Sequence, residues 1–457
     1  MVSWFHSRAK VAIVCSVLLT ILLLSANKAH AYTSPNTQED VARYTGAYGM
    51  EPGALLFVRR ANRWSFEPPS TLLSSRLFLV DEHGGTCTLV PAGEKSFTVS
   101  PTDASNGPRI KVHFIESQDG HIVALRWVAH GLADRVLPRF SGYREEEVTF
   151  EGPSGTLGGR LLLPSTHVPA PAVILIAGAG PTDRHQEYFV VADVFASQGF
   201  ATLIYDKRGT GISSGNWRIA SPSDLADDAL AGFRFLQTRS EIDSGRIGLY
   251  GLSEGGLVVG IAASRNPDVA FLIVISAPGV SRSTWERRWV QNELRAAALS
   301  HHEIGDALRF VALEDRFVRG KVAWSRLEHA SRAAREQRWF PYTWMGIFDA
   351  RSPDHWAWTW RRLHNDLDSS RVFIRVSYPI LAIWGGLDTY APDLHKAAVE
   401  KALKRGKSLQ HDLKVFARAD HLIKEESDRH CRRSYAAGYF HALVHWARRV
   451  APIPNLH

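Results

Sequence analysis

The stretch that decides the fold is Gly251-Leu252-Ser253-Glu254-Gly255-Gly256. The apolar run 246–250 before it predicts a buried strand, and residues 257–263 after it predict a helix. A serine on so sharp a strand-to-helix turn needs a strained backbone, and the flanking glycines remove the Cβ clashes that would forbid it. Because this turn lifts the hydroxyl above the sheet and directs the helix dipole at a developing oxyanion, Ser253 is the predicted nucleophile.

A neutral serine is a weak nucleophile, so the chain must also supply a base and an acid that orients the base. Asp388 follows the predicted strand 380–384, and His421 follows the predicted strand 413–416. Asp393 is an alternative acid, although it lies at the expected start of the next helix. The alternative bases fall at the beginning of a strand or in the C-terminal helix, where histidine usually has a surface or packing role: His411, His430, His441 and His445.

A third element must bind the oxyanion. The predicted strand 172–176 runs into Ala177-Gly178-Ala179-Gly180-Pro181-Thr182-Asp183-Arg184, whose glycines allow the backbone to approach a substrate. The predicted oxyanion donors are the backbone amides of Ala179 and Glu254, the residue after the nucleophile. The side chain of Glu254 is expected in solvent or in a local salt bridge.

Together these motifs resemble a serine hydrolase of the α/β-hydrolase superfamily over residues of about 145–450, and the chain order Ser253, Asp388, His421 matches that superfamily. The segment 205–215 is similar to its D-x-R-G-x-G-x-S turn, in which Asp206 and Arg208 are expected to pair locally. The A-G-x-G-P-T-D-R loop is similar to that of certain bacterial carboxylesterases with an N-terminal accessory domain. Where the general family often has histidine before this glycine, Ala177 stands here, which favours the esterase-like subgroup.

Buried strands that alternate with helical segments predict an α/β fold, here an α/β-hydrolase fold with a mostly parallel central sheet. The expected helices include one that begins at 221–224, with a capping serine and a proline at its first position. Eight of the 14 tryptophans fall in one arginine-rich insertion, and most are expected to fill a core while a minority line a pocket. The predicted layout is a signal peptide (1–31), an antiparallel β-rich accessory domain (32–143), a catalytic domain (144–280 and 371–457) and a helical cap (281–370).

The N-terminus predicts export. Arg8 and Lys10 precede the apolar run 11–24, and Ala29-His30-Ala31 follows it, which is typical of a secretory signal peptide. The run is shorter than the roughly 20 residues of a membrane span, so cleavage near Ala31 and a periplasmic or extracellular location are expected. An uncleaved anchor is the alternative. After cleavage, Cys87 and Cys431 either pair or remain free thiols.

Composition narrows the function further. With 45% hydrophobic and 22% charged residues, the chain is globular rather than disordered, and its net charge of +8 includes no concentrated basic tract for nucleic acid. The predicted activity is hydrolysis of a small-molecule acyl ester through a Ser-His-Asp triad and an acyl-enzyme, with no metal or organic cofactor. A peptidase or amidase, an acyltransferase and an inactive binding protein are the alternatives, and the oligomeric state stays open.

Overall fold

The computed structural model describes residues 43–453 apart from 52–54, 62–75, 82–83, 94, 101–109, 130, 132, 187–188, 367, 391, 407–409 and 427–432. The predicted signal peptide and Cys431 lie outside the described residues. Within those residues, no helix has the length and apolar character that crossing a membrane requires.

The first part of the chain forms an antiparallel β-barrel. Its strands pair in chain order: β1 (Gly46–Tyr48), β2 (Leu56–Ala61), β3 (Arg76–Val80), β4 (Gly85–Gly93), β5 (Ser96–Ser100), β6 (Ile110–Glu116), β7 (Ile122–Ala129) and β8 (Arg135–Pro138). The Gly49 amide donates to the Pro138 carbonyl at 2.8 Å and Tyr48 bridges Arg139, so the last strand returns to the first. Buried apolar side chains fill the interior, as in other small barrels. The predicted β-rich N-terminal region is confirmed.

A second, mixed sheet follows. Its strands are β9 (Tyr143–Gly152), β10 (Gly155–Pro164), β11 (Ala170–Ile176), β12 (Ala201–Tyr205), β13 (Ile242–Leu252), β14 (Leu272–Ile275), β15 (Ile380–Gly385) and β16 (His411–Phe416). They are ordered β16-β15-β14-β13-β11-β12-β10-β9. Strands β11–β16 are parallel to one another, β10 is antiparallel to β12, and β9 is antiparallel to β10. Strands β12 and β13 lie on opposite sides of β11, so the strand order reverses there. Open α/β sheets bind ligands in the crevice at such a reversal.

Helices cover both faces of this sheet and form an insertion above it. In chain order they are α1 (Val190–Ser197), α2 (Pro222–Gln237), α3 (Glu254–Arg265), α4 (Arg282–Ala296), α5 (His301–Val318), α6 (Trp324–Ala334), α7 (Trp344–Phe348), α8 (Trp356–His364), α9 (Ser369–Phe373), α10 (Pro392–Arg405) and α11 (Tyr439–Val450). Helices α2, α3 and α10 share one apolar core with the sheet, and α1 and α11 share the other. The predicted start of α2 is confirmed, because Ser221 and Asp224 form a reciprocal capping box.

The helices between β14 and β15, which we call the cap (α4–α9), have a core of their own. Five of the cap tryptophans are buried in it and three more pack against it: Trp289, Trp339, Trp344, Trp358 and Trp360, then Trp285, Trp324 and Trp356. Arg361 is fully buried there and pairs with Glu286 at 2.6 Å. The expectation that most of these tryptophans fill a core is therefore confirmed.

One hairpin from the C-terminal part of the chain joins the first sheet. Strands β17 (Lys424–Glu426) and β18 (Arg433–Tyr435) pair with each other, and β18 also pairs with β4 of the barrel. A local sequence pattern does not show which distant strand a hairpin will join. The predicted domain layout, with 371–457 in the catalytic domain, stays a prediction. Cys87 on β4 is disulfide-bonded, so the free-thiol alternative is wrong for this residue.

A buried ion cluster also fastens the barrel to the α/β part. The guanidinium of Arg59 on β2 donates to Asp193 of α1 at 2.8 Å and pairs with Glu145 of β9 at 2.8 Å. The Tyr143 hydroxyl donates to the same aspartate at 2.7 Å. Although burial acts to lower the pKa of Arg59, the two carboxylates raise it well above its usual value. The cluster therefore holds a fully charged arginine at the junction.

We predict that Arg59→Met lowers the free energy of unfolding by about 3–5 kcal/mol, because it leaves the Asp193 carboxylate buried without its cation. Urea unfolding followed by circular dichroism measures this loss. The double variant Arg59→Met/Asp193→Leu should regain part of it, and Arg351→Met, which removes an exposed arginine, should change little. Equal stability of Arg59→Met and the wild type would contradict this role.

Candidate active site

Ser253 lies on the turn between β13 and α3 in a rarely occupied backbone conformation, with φ 55° and ψ −120°. The turn closes tightly, because a Cβ on Gly251 would lie 2.2 Å from the Gly255 carbonyl oxygen. A Cβ on Gly255 would lie 2.4 Å from the carbonyl oxygen of Ile176. Only glycine fits both positions without displacing backbone, so the strained turn predicted from the sequence is confirmed.

The predicted acid and base are in contact. Asp388 follows β15, His421 follows β16, and the His421 Nδ1 and Asp388 Oδ2 atoms are 2.7 Å apart. Asp388 is 7% exposed, and its other oxygen accepts a hydrogen bond from the Tyr390 amide at 2.9 Å. Because a carboxylate can only accept, Nδ1 carries the proton, and Nε2 is left to accept one.

The end of β14 brings Ser253 and His421 to the same edge of the sheet. The Ser253 amide donates to the Ile275 carbonyl at 2.7 Å, and the hydroxyl of the next residue, Ser276, donates to the His421 carbonyl at 2.8 Å. In the part of the chain that the structure describes, no hydrogen bond joins the Ser253 hydroxyl to the His421 ring. In substrate-free sites this bond is often long and shortens only when substrate binds.

The competing residues lie elsewhere. Asp393 is exposed near the start of α10, whereas Asp388 is the carboxylate bonded to His421. His411 lies on β16, and His441 stacks on His445 along α11. His430 lies outside the described residues.

The predicted oxyanion loop runs beside the nucleophile. A Cβ on Gly178 would lie 3.3 Å from the Ser253 Cβ and 3.9 Å from its hydroxyl oxygen. Gly180, with φ 90°, adopts a conformation that favours glycine. The amide of Glu254 belongs to the first turn of α3, where amides have no partner within the helix. The amides of Ala179 and Glu254 therefore stay the predicted donors.

The Glu254 side chain does not have the environment predicted for it. It is 8% exposed, with one carboxylate oxygen 3.3 Å from Lys207 Nζ and the other 3.1 Å from His364 Nε2 of the cap. Burial acts to raise the pKa of Glu254, but Lys207 and His364 lower it to about 2. The expectation of solvent or a local partner is wrong, since both partners are far away in sequence. Sequence reasoning missed both Lys207 and His364. The available signal was that Lys207 lies within the D-x-R-G turn; His364 had no such signal.

The expected pairing within that turn is also wrong. Asp206 binds the Arg184 guanidinium and accepts from the Arg184 amide at 2.8 Å. Arg208 instead forms two hydrogen bonds with Asp228 of α2, at 2.7 and 2.8 Å. Asp206 therefore attaches the turn to the predicted oxyanion loop, whereas Arg208 attaches it to helix α2.

The cap reaches the base through Tyr390, a residue outside the cap. Trp289 of α4 stacks on Tyr390, whose ring centroid lies 4.9 Å from that of His421, and Trp285 meets Tyr390 edge-on. On the same helix, burial raises the pKa of Glu293 to about 7, and a hydrogen bond with Thr389 acts against this shift. The cap thus places aromatic rings and a carboxyl group next to the segment that carries Asp388.

These groups can perform nucleophilic catalysis. A strained serine, an imidazole held by a carboxylate and a glycine loop beside the serine lie at the carboxyl ends of strands of one sheet. Among the described residues, no group of three or more His, Cys, Asp or Glu side chains is arranged to hold a metal ion.

The family model described as "Serine aminopeptidase, S33" matches residues 169–428, from β11 through the cap to β17. The chain belongs to this family. It is therefore an α/β hydrolase, as the sequence motifs indicated.

Individual relatives match shorter stretches of this chain than the family model does. The quorum-quenching protein AidA of Acinetobacter baumannii is 29% identical over 122 residues, which are 26% of this chain and 40% of AidA. Esterase EstD of Thermotoga maritima is 26% identical over 141 residues, 30% of this chain and 32% of EstD. The chain spans less than half the length of these relatives. A 2,6-dihydroxy-pseudo-oxynicotine hydrolase structure aligns with 68% of this chain and 69% of its own, at 16% identity and a TM-score of 0.45.

We predict that Asp388→Asn slows labelling of Ser253 by a fluorophosphonate at least about 10³-fold, because the imidazole loses the partner that holds its tautomer. Gel fluorescence against time measures the rate. Asp393→Asn is the matched control and should label at the wild-type rate. Equal slowing by both variants would contradict the assignment of Asp388.

A second prediction concerns Glu293. Since its folded pKa of about 7 lies above the ordinary 4.5, its contribution to stability is complete below pH 4.5 and is lost as the pH rises through 7. Glu293→Gln removes this titration. We therefore expect the melting temperature of the variant, relative to that of the wild type, to increase between pH 5 and pH 8.5. A difference that stays constant over this range would contradict the raised pKa of Glu293.

Proposed function

We propose that this S33 family member is an exported serine hydrolase that cleaves carboxylic ester bonds of small molecules. The catalytic groups would be Ser253, His421 and Asp388, with an acyl-enzyme as the intermediate. The observation that carries the proposal is the 2.7 Å contact between His421 and Asp388 at the sheet edge that also holds the strained Ser253 turn.

The first half-reaction is acylation. His421 Nε2 removes the proton from Ser253 as the hydroxyl oxygen bonds to the acyl carbon, and the carbonyl π electrons move onto oxygen. Asp388 stabilises the resulting imidazolium. The amides of Ala179 and Glu254 bind the oxyanion, and loss of one such donor would cost on the order of 3 kcal/mol.

The remaining steps complete acylation and then restore the enzyme by hydrolysis of the acyl-enzyme. Collapse of the tetrahedral intermediate breaks the bond to the alcohol, which leaves with the proton from His421. A water molecule then gives its proton to His421 and attacks the acyl carbon. The carboxylic acid departs, and Ser253 regains its proton. The steps balance with water as the only co-reactant.

A peptidase or amidase is the second candidate, because the family description is that of a serine aminopeptidase. The ester proposal draws support from the A-G-x-G-P-T-D-R loop of this chain and from the relative EstD, which is named an esterase. The two activities share the acyl-enzyme and differ in the leaving group.

Export forms part of the proposal. The N-terminal segment has the charge and hydropathy pattern of a signal peptide with an A-x-A end at 29–31. The disulfide at Cys87 supports an oxidising compartment, such as the periplasm or the medium, because thiols in the cytosol stay reduced.

The test is a panel of p-nitrophenyl esters of increasing acyl length against p-nitroanilides with the same acyl groups. We expect the purified protein to hydrolyse the esters faster and Ser253→Ala to lose this activity while it keeps its fold. Turnover by Ser253→Ala near the wild-type rate would refute the nucleophile. Faster cleavage of the anilides would instead establish the amidase.

A further inference from the structure

Lys207 contacts the segments that carry the two predicted oxyanion donors. The inference drawn from these contacts rests on the proposed function. Its side chain is 7% exposed, and Nζ donates to the carbonyl oxygen of Gly178. The same nitrogen lies 3.3 Å from the Glu254 carboxylate. The first contact reaches the peptide unit that carries the Ala179 amide, and the second reaches the residue that supplies the other amide.

Because a peptide unit is planar, the contact between Lys207 Nζ and the Gly178 carbonyl also affects the Ala179 amide. No cis bond occurs among the described residues, so the Gly178 carbonyl and the Ala179 amide lie in one plane and point in opposite directions. Holding the carbonyl on Lys207 therefore fixes the direction of the amide, which turns away from Lys207. Gly178 approaches Ser253 closely, as its Cβ position shows, so this plane lies beside the nucleophile.

We propose that Lys207 is a positioning residue of the oxyanion site: it orients the Gly178–Ala179 peptide so that the Ala179 amide faces the oxygen that becomes negative during acyl transfer. The backbone supports the same arrangement. The Lys207 amide donates to the Thr182 carbonyl at 2.9 Å, and the Thr210 hydroxyl donates to that carbonyl at 2.7 Å. The loop is thus attached to the 207–210 turn at both of its ends.

The cap completes this arrangement. The second carboxylate oxygen of Glu254 lies 3.1 Å from His364 Nε2, and His364 Nδ1 donates to the Trp360 carbonyl at 2.7 Å. The His364 ring also stacks on Trp360 with centroids 3.9 Å apart. Because the carboxylate is shared, the cap limits the positions that Glu254 can take. The Glu254 carboxylate is in turn the negative charge that balances the buried Lys207 ammonium group.

Lys207 could instead do no more than stabilise the fold, so the test needs a measurement that stability alone does not change. A trifluoromethyl ketone forms a tetrahedral adduct whose oxyanion occupies the proposed site, whereas butyrate, a reaction product, carries no such oxyanion. For Lys207→Met, we expect kcat for p-nitrophenyl butyrate to fall by about 10- to 100-fold, with KM changed little. The inhibition constant of the ketone should rise by the same factor as kcat/KM falls, and that of butyrate should stay constant.

Two variants make the result specific. Arg59→Met removes a buried cation at the barrel junction, so it should lower the melting temperature yet leave the ratio of ketone to butyrate affinity unchanged. His364→Phe keeps a ring against Trp360 but loses the contact with Glu254. It should weaken ketone binding several-fold, and it tests the arrangement even if Lys207→Met does not fold.

The outcomes separate this inference from the proposed function. If the wild type hydrolyses the ester and Lys207→Met or His364→Phe loses only stability, with the affinity ratio unchanged, Lys207 has no positioning role. If the wild type neither hydrolyses esters nor labels at Ser253, the proposed function and this inference fail together. A parallel loss of kcat/KM and ketone affinity supports both.

Discussion

The constraint on which the site depends is the backbone conformation of Ser253. A non-glycine residue with φ 55° and ψ −120° costs about 1–3 kcal/mol, and it persists only where the surroundings leave no alternative. Here β13 and α3 are buried on both sides of the turn, and the glycines allow the chain to approach Ile176 and Ala277 within distances that a Cβ would violate. The surrounding packing fixes this backbone conformation, and the conformation places the hydroxyl at the carboxyl edge of the sheet.

The cap contacts both functional sides of this serine. On the base side, Trp289 stacks on Tyr390, and Tyr390 packs against His421. On the oxyanion side, His364 binds Glu254, the residue whose amide is a predicted donor. The helical insertion is thus attached both to Tyr390, which packs on the predicted base, and to Glu254, whose amide is a predicted oxyanion donor.

Features that neighbouring residues determine could be predicted from the sequence. The Ser253 turn, the capping box of α2 and the apolar strands depend on local residues, and Asp388 and His421 followed from the ends of those strands. Pairings between distant segments could not be predicted. Lys207 with Glu254, Arg184 with Asp206 and β18 with β4 depend on the strand order and on how the cap docks, which no local pattern encodes.

The most direct test of the account is to trap the acyl-enzyme. The protein is mixed with p-nitrophenyl butyrate, quenched in acid within milliseconds and digested with trypsin. Mass spectrometry should then find one butyryl group on the peptide Ile247–Arg265, at Ser253. Release of p-nitrophenol without any adduct, or an adduct on another residue, would contradict the proposal that this strained serine is the nucleophile.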